Sequence, residues 1–272
     1  MLSSAIATPS ERLEKPQEPR SPRGSHILDR VPPANDLEHA RYSRMRWNTP
    51  LSEEHARLLL NRLDIRPGAS LLDLGCGWGE LLLRAVESAG VTSGIGVDTD
   101  PKALARGRSL AADRGLDGRV NFVVGSADAW QHPADRVICV GAAHAWGGAE
   151  AALTAATQIV QPGGRLLFGD GCWERSPNEE AAKLFGDAVL TLSELVECVH
   201  RAKWRILHLS TADQREWDDF ESTWRAGRQE WLLANPEDER APTARNELDL
   251  ELGQYVETYR GVLGFCYLVL GR

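Results

Sequence analysis

A carboxylate, Asp73, stands two residues before the first of three alternating glycines, Gly75, Gly77 and Gly79. Glycine at such positions lets a backbone approach a ligand where any Cβ would collide. The apolar run before them, Ser70 to Leu74, predicts a buried strand, and Glu80 to Ala89 predicts a helix with leucines on one face. A helix that starts there aims its unpaired N–H groups at the same point, so the segment forms a nucleotide-type cradle. A dinucleotide fingerprint reads G-x-G-x-x-G, whereas these glycines fall at 75, 77 and 79, one residue short. A carboxylate inside the cradle is a poor neighbour for a pyrophosphate and a good one for a cation, such as an amino-acid ammonium or a sulfonium.

More chemistry follows at ordered spacing. Ser93 to Val97 predicts a second strand ending in Asp98, 23 residues beyond Gly75 (98 − 75), where an acid can grip both hydroxyls of a ribose. Pro101 to Arg114 predicts a helix, with Pro101 in the first turn where a missing N–H costs nothing. Val120 to Val124 predicts a third strand, followed by Gly125-Ser126-Ala127-Asp128. The fourth, Arg136 to Val140, runs into Gly141-Ala142-Ala143-His144-Ala145-Trp146-Gly147-Gly148. Pro162-Gly163-Gly164-Arg165 then turns into the fifth, Leu166 to Gly169. An imidazole exchanges protons near neutrality, so His144 is suited to take a proton from an acceptor; its other reading is a loop histidine bonded to backbone.

Residues 71–80 resemble motif I of the class I S-adenosylmethionine-dependent methyltransferases, and the Pro-Gly-Gly turn at 162–164 is a further mark of that family. The resemblance spans about residues 48 to 170. Asn48-Thr49-Pro50-Leu51-Ser52, the turn after strand four and Gly171 to Pro177 resemble a bacterial, small-molecule-type branch. It implies a doubly wound α/β fold with a mostly parallel seven-stranded sheet in the order 3-2-1-4-5-7-6, the last strand antiparallel, and helices on both faces. It implies S-adenosyl-L-methionine as cofactor, with Asp73, Gly75, Cys76, Gly77, Trp78 and Gly79 around its amino-acid end. Asp98 and Thr99 would hold the ribose, Ala127 and Asp128 the adenine, and Gly141 the wall after strand four. Trp78 would pack on the methionine portion or close the core edge. Tyr42 and Trp47 fall where family members place an N-terminal lid, and Trp146, Trp173 and Glu174, with Asp170, fall on the acceptor rim.

Composition bounds the rest. The 272-residue chain carries a net charge of −8 with no basic tract, which argues against nucleic acid, and the branch it resembles implies a small-molecule acceptor. No run of 18 apolar residues and no long apolar leader are seen, so the expected address is the cytoplasm and no membrane partner is expected. Five cysteines without a C-x-x-C pair read as reduced and structural, with no metal site. Residues 1–35 hold six of the fourteen prolines, at 9, 16, 19, 22, 32 and 33, and are expected to form a disordered tail. The methyltransferase domain is expected over 36–272, with lid and helices at 36–64 and a helical insertion at 214–260. Ser52 is the expected N-cap of a helix over 51–63, and Trp217, Phe220, Trp224 and Trp231 form a helical stripe that reads first as a packing face. Two other functions fit the cradle: a nicotinamide-dependent oxidoreductase, which the glycine spacing and Asp73 oppose, and a non-catalytic protein that binds S-adenosylmethionine or S-adenosylhomocysteine. The oligomeric state is left open.

Overall fold

The computed structural model describes residues 37–88, 93–186 and 188–272; the expected tail over 1–35 lies outside them. Strands β1 (Leu71–Leu74), β2 (Gly94–Asp98), β3 (Val120–Val124), β4 (Ala134–Val140) and β5 (Val160–Trp173) pair in parallel. They alternate with helices, beginning with α1 (Leu37–Ala40) and α2 (Glu53–Leu63) ahead of β1. Helix α3 (Glu80–Ser88) leads to β2, α4 (Pro101–Asp113) to β3 and α5 (Ala149–Ile159) to β5. All four residues of β1 are buried, as an apolar strand covered on both faces must be.

Beyond β5 come α6 (Glu179–Phe185), β6 (Leu190–Thr191), α7 (Leu192–Arg201) and β7 (Arg205–Thr211). The chain then forms α8 (Gln214–Ala234), α9 (Ala241–Gln254), one π-helical turn (Tyr255–Tyr259) and β8 (Leu263–Gly271). The sheet order is β3-β2-β1-β4-β5-β8-β7, and β8 is antiparallel to both of its neighbours. That is the expected order, with β8 and β7 as the seventh and sixth strands. The sheet has eight strands rather than seven, because β6 pairs in parallel with Cys172 and Trp173. Two residues are too short to show a period-2 pattern in the sequence. β5 also outruns its expected end at Gly169, since Asp170 to Trp173 continue in register against Leu263 to Cys266 of β8.

Two core layers, one on each face of the sheet, fix the strand ends. One joins α2, α3 and α4 to Ile138, Leu167, Tyr267 and Val269, and takes in Trp217 with Phe220 and Trp224 packed against it. The other joins α5 and α7 to Val137, Phe168 and Leu268, around Trp204. Trp231 packs with Ala40, Ala241 and Leu248, so the tryptophan stripe of α8 is a packing face along its length. Ser52 caps α2 through its Oγ, which accepts the His55 N–H at 3.2 Å. Among the described residues no helix is long and apolar enough to cross a membrane.

Glu216 is a buried hub between α2, β7 and α8. Its carboxylate accepts N–H groups from Ser52 at 2.8 Å and Asp213 at 3.0 Å, and both oxygens lie 3.1 Å from His55 Nδ1. His55 Nε2 meets Ser210 Oγ at 2.7 Å. Burial would push this carboxyl up, but the bonds from His55, Ser52 and Asp213 outweigh it and bring it down to about 2. A depressed carboxylate stabilises the fold above its unfolded value, and that contribution is lost as pH falls from about 4.5 toward about 2. Glu216→Gln is expected to flatten the fall of urea-measured stability between those pH values. An unchanged slope would show that Glu216 carries no linkage.

Candidate active site

The strand ends converge on a cavity of about 430 Å³, within the usual range for small-molecule sites. Its floor is the glycine turn. Gly75 N and Cys76 N donate to Val97 O at 2.8 and 3.0 Å, hooking the turn onto the end of β2. Gly77 N donates to Asp98 Oδ2 at 2.7 Å, while Asp98 Oδ1 accepts the Asp100 N–H at 2.8 Å. The backbone demands glycine twice over at Gly75: φ is +70°, and a Cβ there would stand 2.3 Å from the Ala142 Cβ. Gly77, at φ +56°, faces open space instead, with nothing within 4 Å of a built Cβ. Open space over exposed backbone is what a ligand would fill. Gly79 sits behind the wall, against Phe122.

Asp73 lies on this floor, 4% exposed, and no described residue donates a hydrogen bond to it. Burial first, and the Asp98 charge second, push its carboxyl up to about 8. Burial and the same two acids push the Cys76 thiol up, so it is no nucleophile at neutral pH. The cavity therefore holds two close carboxyls whose mutual repulsion a cation would relieve.

Of the residues that the sequence singled out, Asp73, Gly75, Cys76, Gly77, Trp78, Asp98, Thr99, Ala127, Gly141 and His144 all line this one cavity, and Trp47 joins them from above. Trp78 belongs both to the wall and to the first core layer. His144 is exposed on a 3-10 turn (Ala143–Trp146) directly after β4. Asp170, on β5, is mostly buried; burial raises its carboxyl, against a lowering by its bond from the Gly171 N–H and by the charge of His144.

Others stand elsewhere. Asp128 is exposed outside the lining, with its carboxylate bonded by the Ser126 hydroxyl. Tyr42 is above, in edge-to-face contact with Trp78 and Trp224, the ring centroids 6.1 and 5.2 Å apart. Trp146 is half-buried against the second core layer. Trp173 is buried against Phe185, ring centroids 5.9 Å apart, and exposed Glu174 lies over Gly264. The extension of β5 explains Trp173, which is in register with β8 and held in the sheet, and Glu174 follows it with its N–H on Val262 O at 3.0 Å.

The sequence reading did not single out Arg46, Asn48 and Thr49 as wall residues, although they roof the cavity beside Trp47. Ser126 and Ala142 were missed as well. The polar stretch ahead of the Ser52 cap was the available signal, since a non-helical run fixed at its end by a cap has few places to lie.

Comparison with known proteins agrees with this geometry. A family model described as a methyltransferase domain matches residues 71–164. The chain is 32% identical over 230 residues to the uncharacterised protein YjhP of Escherichia coli (strain K12), covering 82% of this chain and 92% of that one. Its structure is similar to that of a SAM-dependent methyltransferase from Geobacter sulfurreducens in complex with S-adenosyl-L-homocysteine. That match has a TM-score of 0.78 and 30% identity, covering 87% of this chain and 98% of the other. A SAM-dependent methyltransferase from Thiobacillus denitrificans, also with S-adenosyl-L-homocysteine, matches at TM-score 0.77 and 30% identity over 86% and 97% of the two chains. The chain is an S-adenosylmethionine-dependent methyltransferase.

This methyltransferase uses S-adenosyl-L-methionine, and the residues present fit that group. The open face of Gly77 suits a closely approaching ligand, and the Asp73–Asp98 pair suits a cationic one. A cation beside Asp73 lowers its carboxyl, so binding should release a proton and affinity should rise with pH up to about 8. Calorimetry of S-adenosylmethionine in buffers of differing ionisation heat is expected to show that release at pH 7, and to lose it in Asp73→Asn. Equal heats in all buffers would show that Asp73 is already charged.

Proposed function

We propose that this methyltransferase acts on a small-molecule acceptor and that His144 removes the acceptor's proton. The observation that carries the proposal is the placing of an exposed imidazole in the wall of the cavity whose floor is Asp73, Gly77 and Asp98. The roof over residues 46–49 supports the small-acceptor reading, because a bulky polymer would have to displace it to reach the floor. The chain's acidic balance is also unfavourable for a polyanion.

Bound S-adenosylmethionine supplies a methyl group already activated on a positively charged sulfur. The protein's own share is alignment, exclusion of water and control of one proton. In this reading Asp73 and the turn Gly75–Gly79 hold the amino-acid end, Asp98 with Thr99 the ribose, and Ala127 the adenine edge, with Asp128 outside the lining. Each oxygen of Asp98 accepts one backbone N–H, from Gly77 or from Asp100, and its remaining lone pair can serve a ribose hydroxyl, since a carboxylate oxygen accepts more than one bond. Trp47 and the strap around it exclude water from above.

A ring nitrogen of His144 accepts the acceptor's proton, and the Asp170 carboxylate nearby on β5 stabilises the imidazolium that results. An amine that arrives neutral needs no such base, whereas a hydroxyl does.

The test has two parts. A mass-resolved screen of metabolites incubated with enzyme and S-adenosylmethionine should show a +CH₂ product and so supply the acceptor. With that acceptor, His144→Ala is expected to lower kcat by about 10²-fold or more while S-adenosylhomocysteine affinity stays within about twofold of wild type. Turnover at the wild-type rate in this variant would remove His144 from the chemistry.

A further inference from the structure

The strap that roofs the cavity is anchored in two unlike ways. At its C-terminal root it joins the sheet: the Tyr267 hydroxyl donates to Pro50 O at 2.9 Å, and Glu216 accepts the Ser52 N–H at 2.8 Å. Those bonds belong to the buried hub and the core. The other half of the strap, residues 41–46, pairs with no strand among the described residues.

There side chains take over, and Arg106 holds two of the backbone carbonyls. Arg106, half-buried on α4, donates from Nη1 to Tyr42 O at 2.8 Å and from Nη2 to the Met45 carbonyl. The same guanidinium lies 4.1 Å from the centroid of the Trp78 ring. Trp78 is the residue between Gly77 and Gly79 of the cradle, and its own Nε1 donates to Arg46 O at 2.8 Å. Three strap carbonyls are thus tied to a ring that is part of the cofactor floor. A planar guanidinium stacks flat on a ring face while two separate nitrogens reach two acceptors, a rigid fork that a lysine ammonium lacks.

From the opposite side the strap rests on α8, where Gly227 leaves no room. A Cβ at Gly227 would stand 2.0 Å from Ala40 O and 2.4 Å from Ser43 Oγ. Arg44 pairs with Glu230 on the same helix.

The geometry points to Arg106 as a positioning residue that latches the strap over the bound cofactor, coupling the seat of the glycine turn to the roof through the Trp78 ring. This rests on the reading that S-adenosylmethionine occupies the cavity beneath the strap. Arg106 is absent from the cavity lining, so it acts on the ligand only through the strap and the ring. Cofactor settled on Gly77 fixes Trp78, Trp78 fixes the guanidinium, and the guanidinium holds Tyr42 and Met45 down. Release of S-adenosylhomocysteine then requires the latch to open, as lids commonly limit product release.

The test reads strap closure directly. Stopped-flow binding of S-adenosylhomocysteine to the full chain is expected to show a dissociation rate about tenfold faster in Arg106→Ala, with the association rate changed far less. Trypsin cuts after Arg41, Arg44 and Arg46, all in or beside the strap, so bound S-adenosylhomocysteine should slow those cuts in the wild type. It should no longer do so in Arg106→Ala. The protection is taken as the ratio of cleavage with and without ligand, which a merely structural loss of stability does not move. Arg106→Lys, which keeps the charge and the stem and loses the rigid fork, is expected to shift both readouts in the same direction, and it carries the test alone if Arg106→Ala does not fold. Wild-type dissociation and wild-type protection in the variant that folds would overturn the latch. Asp98→Ala separates the underlying reading: if it binds S-adenosylhomocysteine as the wild type does, the cofactor is not in this cavity, whatever Arg106 does.

Discussion

A carboxylate that accepts the N–H group of Gly77 holds the site of this protein together. Asp98 ends β2, and through that 2.7 Å bond it fixes the tip of the turn that leaves β1. Because β1 and β2 are neighbours in a parallel sheet, the turn cannot rotate without breaking register along both strands. The negative charge of Asp98 in turn helps raise Asp73, so one residue sets both the shape and the electrostatics of the floor. Without this tie the turn would be held only at its base, by the bonds of Gly75 and Cys76 to Val97 O. With it, the turn offers backbone N–H groups and open space at a fixed place, which is the condition for binding a ligand before any side chain moves.

The rest of the fold serves to hold that floor and to build walls about it. Packing on both faces of the sheet keeps the ends of β1, β2 and β4 level, so that Gly75, Asp98 and Gly141 look into the same cavity. The Glu216 hub ties the N-terminus of α2 to the start of α8 and to Ser210 on β7. It places the root of the roof with the same firmness as the core. A buried carboxylate with this many donors is costly to desolvate, and it holds its charge because each donor faces it. The helical segment from α8 to the π-helical turn backs the strap rather than entering the cavity.

How much of this the sequence disclosed follows the range of each interaction. The glycine turn, Asp98 and the strand order were legible because strand, turn and helix follow one another within a few residues and impose local conformational demands. Ser52 as a cap was legible for the same reason. Trp173 and Glu174 were expected at the rim and stand elsewhere, since the true end of β5 depends on its pairing with β8, about ninety residues on. Arg106 gave no signal at all: its acceptors are backbone carbonyls 61 and 64 positions away, and a carbonyl leaves no mark in the residue types. The roof was anticipated at Tyr42 and Trp47, yet the residues between Trp47 and the Ser52 cap declare a function only once the chain is seen to cross the cavity.

One consequence of the long β5 concerns how such a chamber can diversify. Asp170 to Trp173 are locked into backbone pairing with β8, and the floor is locked by Asp98, so change on either side would disturb the sheet itself. The roof has no such debt to the sheet along its first half. Substitutions there change the cover of the cavity while leaving the strand pairing beneath it unbroken. Selectivity and fold are thus written in separate stretches of chain, and a lineage can revise the first without rewriting the second.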